Sequence, residues 1–512
     1  MEPIQLQPLK LTPLPLVPVK LTSTIQSQEL TGPAFVIELT TSILSSKGVG
    51  MPTFTRNTTA SVTDFEGIIR TAKIGEARFG GARRVENLYA NSETLATQNV
   101  SVAAGTYTVS FKGTGTITFS GAYSGSLIGT GASTRVEKTF SASGGTLTST
   151  VNGSVLMAQC EDVSGQSVQT ASEYVSTGLL SFPYHGTGAD GVKYFNTKRD
   201  GTFINDSIIR GFFAEGQRTN LVAYSNEFDN PYWSKLYSGN GTAPVITSNY
   251  SVSPEGKKNA FRLQCSKSGT LDTDFSLLQK TIVLGGYTGS LWVKSNTGLS
   301  QNVYFRVSSS GLYTVTSEWT RIKLYSPSAN YITLGARLTS DNTIDISIFL
   351  SQFEDGQFAS SEVKTASSSV TRSADDLRYA IPLPRDGTIY VELSTSISNA
   401  DSGIVSKSLG IGPLNYNGDN GISFIDGTNT HVLTYGQPFS TGIRKIAARW
   451  SGSTGKMKLF KDGGASPEGA YNGVFSGGSE ILIAQNNSFA YIRRVKIWER
   501  VLPDSELMSM TS

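Results

Sequence analysis

The chain repeats itself. MAQCEDVSGQSVQTAS starts at Met157 and LSQFEDGQFASSEVKTAS at Leu350, and their shared Gln-x-Glu-Asp recurs at an offset of 193 residues (352 minus 159). Upstream, GARRVENL (Gly81 to Leu88) is matched by EGQRTNL (Glu215 to Leu221), and between these ends GTYTVSFKG from Gly105 is echoed by GGYTGSLWVKS from Gly285. Three landmarks in one order define a duplicated module, so the fold must be one that can be built twice in tandem. Within the first copy Tyr107, Val109 and Phe111 alternate onto one face, followed by Ile117 and Phe119 across a Gly-rich turn. Period-two runs bounded by Gly or Asn form half-buried antiparallel strands, and two such sheets per module make a sandwich or jelly roll.

Composition narrows the class. Of 512 residues 53 are Gly and only 16% are charged, which suits short strands joined by tight turns and neither disorder nor helical bundles. The net charge of +3 comes from scattered Lys and Arg, with no basic stripe for nucleic acid. No apolar run reaches the length of a membrane span, and the start lacks a charged-then-apolar signal layout, so assembly in a cytoplasm without membrane insertion is expected. Cys160 falls where the second copy has Phe353, an apolar position, so it and Cys265 are expected as buried free thiols.

Four regions follow. Residues 1–53 are expected as an extended arm and linker, because Pro3, Pro8, Pro13, Pro15 and Pro18 preclude a helix or a central strand. Leu6, Leu9, Leu11, Leu14, Leu16 and Val17 make that arm too apolar for an idle tail, so it is expected to lie in a groove on a partner. Residues 54–190 and 191–378 are the two β-sandwich repeats. Residues 379–512 are a third antiparallel sandwich, with a hairpin loop at Ser451 to Gly455, a last strand from Tyr491 to Trp498 and a short helix at Asp504 to Met508. The fold class is all-β, tandem jelly-roll or β-sandwich domains behind an extended arm.

No catalytic constellation emerges. Glu161/Asp162 and Glu354/Asp355 are adjacent pairs, whose side chains point to opposite faces of a strand and cannot flank one glycosidic bond; a fold-determining turn fits better. His185 and His431 have no His, Cys or Asp at ligand spacing, and the G-x-G runs between Gly113 and Gly131 precede no helix. Asp419 and Asp426, on Asn-Gly and Asp-Gly loops, are candidates for a structural Ca²⁺, although such pairs are ordinary hairpin turns. Trp292, Trp450 and Trp498 lie in strand patterns and are expected in the core. Tyr416, Asn417, Asp419, Asn486 and Asn487 lie on loops of the last domain and are the candidate glycan-binding residues.

QFEDGQFASSEVKTASSSVTRSADDL (Gln352 to Leu377) resembles a tail found in bacteriophage virion proteins with carbohydrate-binding-module-like jelly rolls. EGQRTNLVAYSNEFDNPYWSK (Glu215 to Lys235) is similar to the opening of that module, and YIRRVKIWERVLPDSELMSM to the end of a laminin-G or concanavalin-A-like lectin domain. The first repeat departs from the pattern in lacking the motif at Asn226 to Asp229 and the Tyr232/Trp233 pair, and Pro503 stands where the family usually has a capping Ser or Thr. The resemblance implies a virion appendage, a tail or head fibre, usually homotrimeric, with the arm as its virion anchor and the sandwiches meeting host surface polysaccharide without catalysis. The alternative is a capsid decoration or tail-machine protein contacting only other virion proteins. A depolymerase ranks third, since no short-coil β-helix repeat is visible.

Overall fold

The computed structural model describes residues 32–48, 50–395, 402–407, 411–417, 421–434, 442–485 and 489–512. The strands pair antiparallel, and the helix among the described residues is Asp504–Thr511. The all-β, tandem-sandwich class expected from the alternation is the one observed.

In the first module the long strands Gln98–Gly113 and Gly131–Asn152 pair along most of their length, from Arg135 opposite Lys112 to Ser149 opposite Gln98. Val109, Phe111, Ile117, Phe119 and Leu147 fill the core between its layers. The second module repeats the plan around Phe275–Ser295 and Thr320–Arg337, with Leu263, Val293, Phe305, Ile346 and Phe353 inside.

The duplication holds to the single residue. Tyr107, Thr108, Val109 and Ser110 face Asp162, Glu161, Cys160 and Gln159; Tyr287, Thr288, Gly289 and Ser290 face Asp355, Glu354, Phe353 and Gln352. Just before these pairs both strands break register at a left-handed residue, Met157 (φ 48°) in one and Leu350 (φ 46°) in the other. A bulge re-aims the strand end, and here it lets the residues beyond it turn inward. Cys160 and Cys265 are buried free thiols.

The expected boundaries differ from those of the sheets. Phe35–Glu38, assigned above to the arm and linker, lies beside the last strand Phe489–Trp498, with Phe35 opposite Ile497. Pro52–Thr55 pairs with Asp376–Tyr379, and Gly211–Glu215 pairs with the same last strand, Phe212 opposite Ile492. The terminal sandwich therefore begins at Phe35 and closes at Trp498, with both modules inserted into it. The Pro-rich composition that suggested an arm stops before residue 32, and FVIE and PTFT beyond it put Phe35, Ile37 and Phe54 into the terminal core. Nor does position 190 separate two units, since Val192–Phe195 pairs with Arg83–Glu86.

Ile443–Ser451 and Lys456–Lys461 form the expected hairpin. Ile446, Ala448 and Trp450 enter the main core, while Ala447 meets Phe460, Trp498 and Leu507 beneath the helix. That helix has no side-chain cap at Pro503; Asp504 in its first turn instead holds Arg449 (2.7 Å) and Lys458 (2.6 Å).

The inserted modules are locked to the sandwich by a buried charge cluster. Arg78, fully buried, reaches Glu215 at 2.9 Å and also bonds Asp375; Arg56 holds the other oxygen of Asp375 at 2.8 Å, and Arg372 closes on Glu215 at 3.5 Å. The Ser361 N–H donates to Glu215 Oε1 at 2.7 Å. Removing one member of such a cluster strands the others without water and costs about 3–5 kcal/mol.

Candidate functional site on the second module

Ala260–Ser266 and Thr343–Asp355 are neighbouring strands, Arg262 opposite Ser347 and Gln264 opposite Asp345. Phe261, Leu263 and Cys265 alternate into the core, as do Ile344, Ile346 and Ile348. The opposite face therefore carries Arg262, Gln264, Asp345 and Ser347. The edge strand Val245–Ser251 places Thr247 across from Arg262, and on the other side Lys294 pairs with Ser347. Four strands thus carry a row of polar side chains, Thr247, Arg262, Ser347 and Lys294, of which Ser347 is itself buried.

Hydrogen bonds hold this row. Arg262 grips Asp345 with two bonds, Nε to Oδ1 at 2.8 Å and a second from Nη2 to Oδ2. Asn296 donates from Nδ2 to Asp345 Oδ1 at 2.9 Å, Ser347 Oγ donates to Asn296 Oδ1 at 2.7 Å, and Ser251 and Ser347 share a bond of 2.7 Å. The Arg262 guanidinium lies 4.8 Å from the Tyr250 ring centre, and Tyr250 remains 38% exposed. The bond from Arg262 holds the Asp345 carboxyl below its ordinary range, and the same bond raises Arg262. Both groups stay charged near neutral pH. A fixed set of donors and acceptors beside an exposed aromatic ring suits a hydroxylated ligand, whose hydroxyls need directed bonds and whose ring faces are apolar.

The duplicated motif has a different role. Asn220 donates from Nδ2 to Ser351 O (3.1 Å) and Val363 O (2.8 Å), while its Oδ1 accepts from Val222 N (3.1 Å) and Phe353 N (3.0 Å). Asn87 does the same with Ala158 O, Val175 O, Tyr89 N and Cys160 N. Gln159 and Gln352 accept from Val175 N (2.7 Å) and Val363 N (2.9 Å), and Glu161 and Glu354 from Ser172 N (2.8 Å) and Ser360 N (2.6 Å). The Gln and Glu sit in the closing strand and fasten the segment that follows, a structural role that both copies share.

Of the loop residues predicted for glycan binding, Tyr416 and Asn417 end the strand Gly412–Asn417. Gly403 pairs with both Asn415 and Gln485, so that strand lies beside the end of Ile481–Gln485 with one strand between them. Asp419, Asn486 and Asn487 lie outside the described residues, as do the arm residues Leu6, Leu9, Leu11, Leu14, Leu16 and Val17. Asp426 is buried, and its carboxylate accepts from Thr428 N (2.8 Å), Asn429 N (2.7 Å) and Asn472 N (2.8 Å). These donors occupy the oxygens a cation would need. Among the described residues no three His, Cys, Asp or Glu converge as a metal site. Trp450 and Trp498 are buried, but Trp292 is half-buried on the outer face, where its Nε1 donates to Glu362 at 3.2 Å. Sequence reasoning missed Tyr250, Arg262, Asp345 and Asn296. Their signal was the polar half of each alternation, which marks an outer face without marking it as a site.

No protein-family model matches the chain, and no curated protein does. Among solved structures, a CBM40 module of the Ruminococcus gnavus IT-sialidase bound to α2,3-sialyllactose is similar over 25% of this chain and 84% of that one, at 18% identity and TM-score 0.21. A heptameric SAP-like pentraxin from Limulus polyphemus matches over 26% and 74%, at 13% identity and TM-score 0.22. The extracellular region of zebrafish Gpr126/Adgrg6 matches over 46% and 35%, at 14% identity and TM-score 0.20.

Proposed function

We propose that this chain is a non-catalytic glycan-binding component of a bacteriophage virion appendage, a tail or head fibre. The observation that carries glycan binding is the Arg262–Asp345–Asn296–Ser347 network, braced across the outer sheet face beside the exposed ring of Tyr250. The phage setting rests on the sequence resemblance of Gln352 to Leu377 and Glu215 to Lys235. In this reading residues 1–31 anchor the chain to other virion proteins through their leucines. Three copies act together, and the resulting avidity offsets weak binding per site.

The test uses the full chain and a variant starting at residue 32, applied to host cells and scored for blocking phage adsorption. Saturable binding by both that blocks adsorption, lost in Arg262→Ala and Tyr250→Ala, supports the proposal. Docking on virions with no cell binding leaves a decoration protein. Cell binding that survives both substitutions moves the site away from this face.

A further inference from the structure

The second module carries another outer face. Gln301–Arg306 lies between Thr320–Arg337 and Ser310–Val315, with Tyr304 opposite Gly335 and Leu312, and Arg306 opposite Thr333 and Ser310. On the other side of Thr320–Arg337, Phe275 faces Arg337 and Leu277 faces Gly335. Val303, Phe305, Leu334 and Ala336 alternate into the core. Tyr304, Arg306 and Arg337 therefore stand on the opposite side of the sheet.

Two arginines bracket this face. The Arg337 guanidinium lies 5.1 Å from the Phe275 ring centre and 6.0 Å from that of Tyr304, and the Arg306 guanidinium lies 4.5 Å from that of Tyr331. Arg306 is level with Thr333, four residues from Arg337 (337 minus 333), which separates the two backbone positions by about 13 Å along the strand. The rung between them is apolar: Leu277, Tyr304 and Leu312, the last of which is 49% exposed.

The charge on this face is not balanced. Asp272 meets Arg337 at 2.9 Å with a side chain 66% exposed, and a surface pair of this kind is weak. Arg306 has no carboxylate at ion-pair distance among the described residues. Its Nε donates to Ser308 O at 3.1 Å, while Nη1 and Nη2 have no protein partner there and neither is sealed from solvent. Ser308 holds φ at 142°, a region that favours glycine, and its Oγ donates to Ser328 O at 2.7 Å. Fixed at Nε and stacked on a ring, Arg306 keeps its outer fork open, and such a fork matches a carboxylate through two parallel bonds. Arg262 on the first face differs, because Asp345 already occupies its fork.

We infer that this face binds an acidic polysaccharide, whose carboxylates meet Arg306 and Arg337 while its sugar rings cross the apolar rung between them. The inference rests on glycan binding as the function but not on the Arg262 face. Two cations set apart along one strand suit an extended chain of carboxylates better than a single small anion. A nucleic-acid strand fits less well, because the rings of Tyr331 and Phe275, on which bases would stack, already carry guanidiniums.

The full chain is titrated calorimetrically with octamers of galacturonate and of mannuronate. Their methyl esters serve as neutral counterparts, and sodium phosphate and oligothymidylate as anionic controls. The same titrations use Arg306→Gln and Arg337→Gln, which replace side chains outside the core, and Arg262→Ala, which alters only the first face. The expected result is an acid octamer that binds at least tenfold more tightly than its ester and weakens as salt is raised. That binding should fall at least fivefold in Arg306→Gln and in Arg337→Gln and stay unchanged in Arg262→Ala. Equal binding of acid and ester, no binding of either acid, tighter binding of oligothymidylate, or binding that survives Arg306→Gln each overturns the inference. The first face is read separately, by loss of cell binding in Arg262→Ala, so the two readings fail independently.

Discussion

Asn87 and Asn220 show what a single buried amide does in each module. Each satisfies two carbonyls and two N–H groups from three separate segments, buried from solvent. Asn220→Leu keeps the volume but orphans all four, and we expect a loss of about 3 kcal/mol in urea unfolding. Asn87→Leu is expected to lose a similar amount, because the geometry is repeated; a loss below about 1 kcal/mol in either would show that water enters in its place. Arg262→Ala behaves in the opposite way. Its partner is also partly exposed, so stability should change by less than about 1 kcal/mol while glycan binding, read by the cell assay, falls at least tenfold.

At the scale of elements, the second module holds its own core, from Val222 to Phe353, whereas the terminal sandwich borrows strands from four places in the chain. A fragment spanning 216–372 is therefore expected to unfold cooperatively by itself. A fragment spanning 379–512 lacks Phe35, Ile37, Phe54 and Phe212 and is expected to expose its core and aggregate, as size-exclusion chromatography would show. The junction adds a pH dependence. Burial alone would raise Glu215 and Asp375, but Arg372, Arg78 and Arg56 outweigh it and hold both below their ordinary 4.5 and 3.8. Their contribution is present in full above about pH 4.5 and is lost as the pH falls through the lowered values. Urea midpoints should decline on acidification below that point; a flat profile to about pH 3 would refute the assignment. Glu354, raised by burial, contributes with the opposite sign and softens the decline. Local periodicity made most of these strands legible, including Tyr107/Val109/Phe111 and the hairpin after Ile443, because alternation is a property of neighbours in sequence. The pairing of Phe35 with Ile497 was not legible, since short apolar runs carry no mark of the distant strand they join. The Asn87 and Gln159 networks were visible only as a repeat; their chemistry required the register.

For the whole molecule, the last strand is where two distant parts of the chain meet side by side. Phe35–Glu38 lies along one half of Phe489–Trp498 and Gly211–Glu215 along the other, with Phe35 opposite Ile497 and Glu215 opposite Phe489. Residues 32–34 therefore lie at one end of that strand, where Ala34 N donates to Ile497 O, and the chain beyond Glu215 leaves past the other. Tension between an anchored first segment and a module gripping a surface would run lengthwise along the strand. The ladder bonds lie across that direction, so they are loaded all together in shear rather than opened one after another. A chain threaded in this way makes its terminal sandwich a mechanical clasp, strongest against a pull along its last strand.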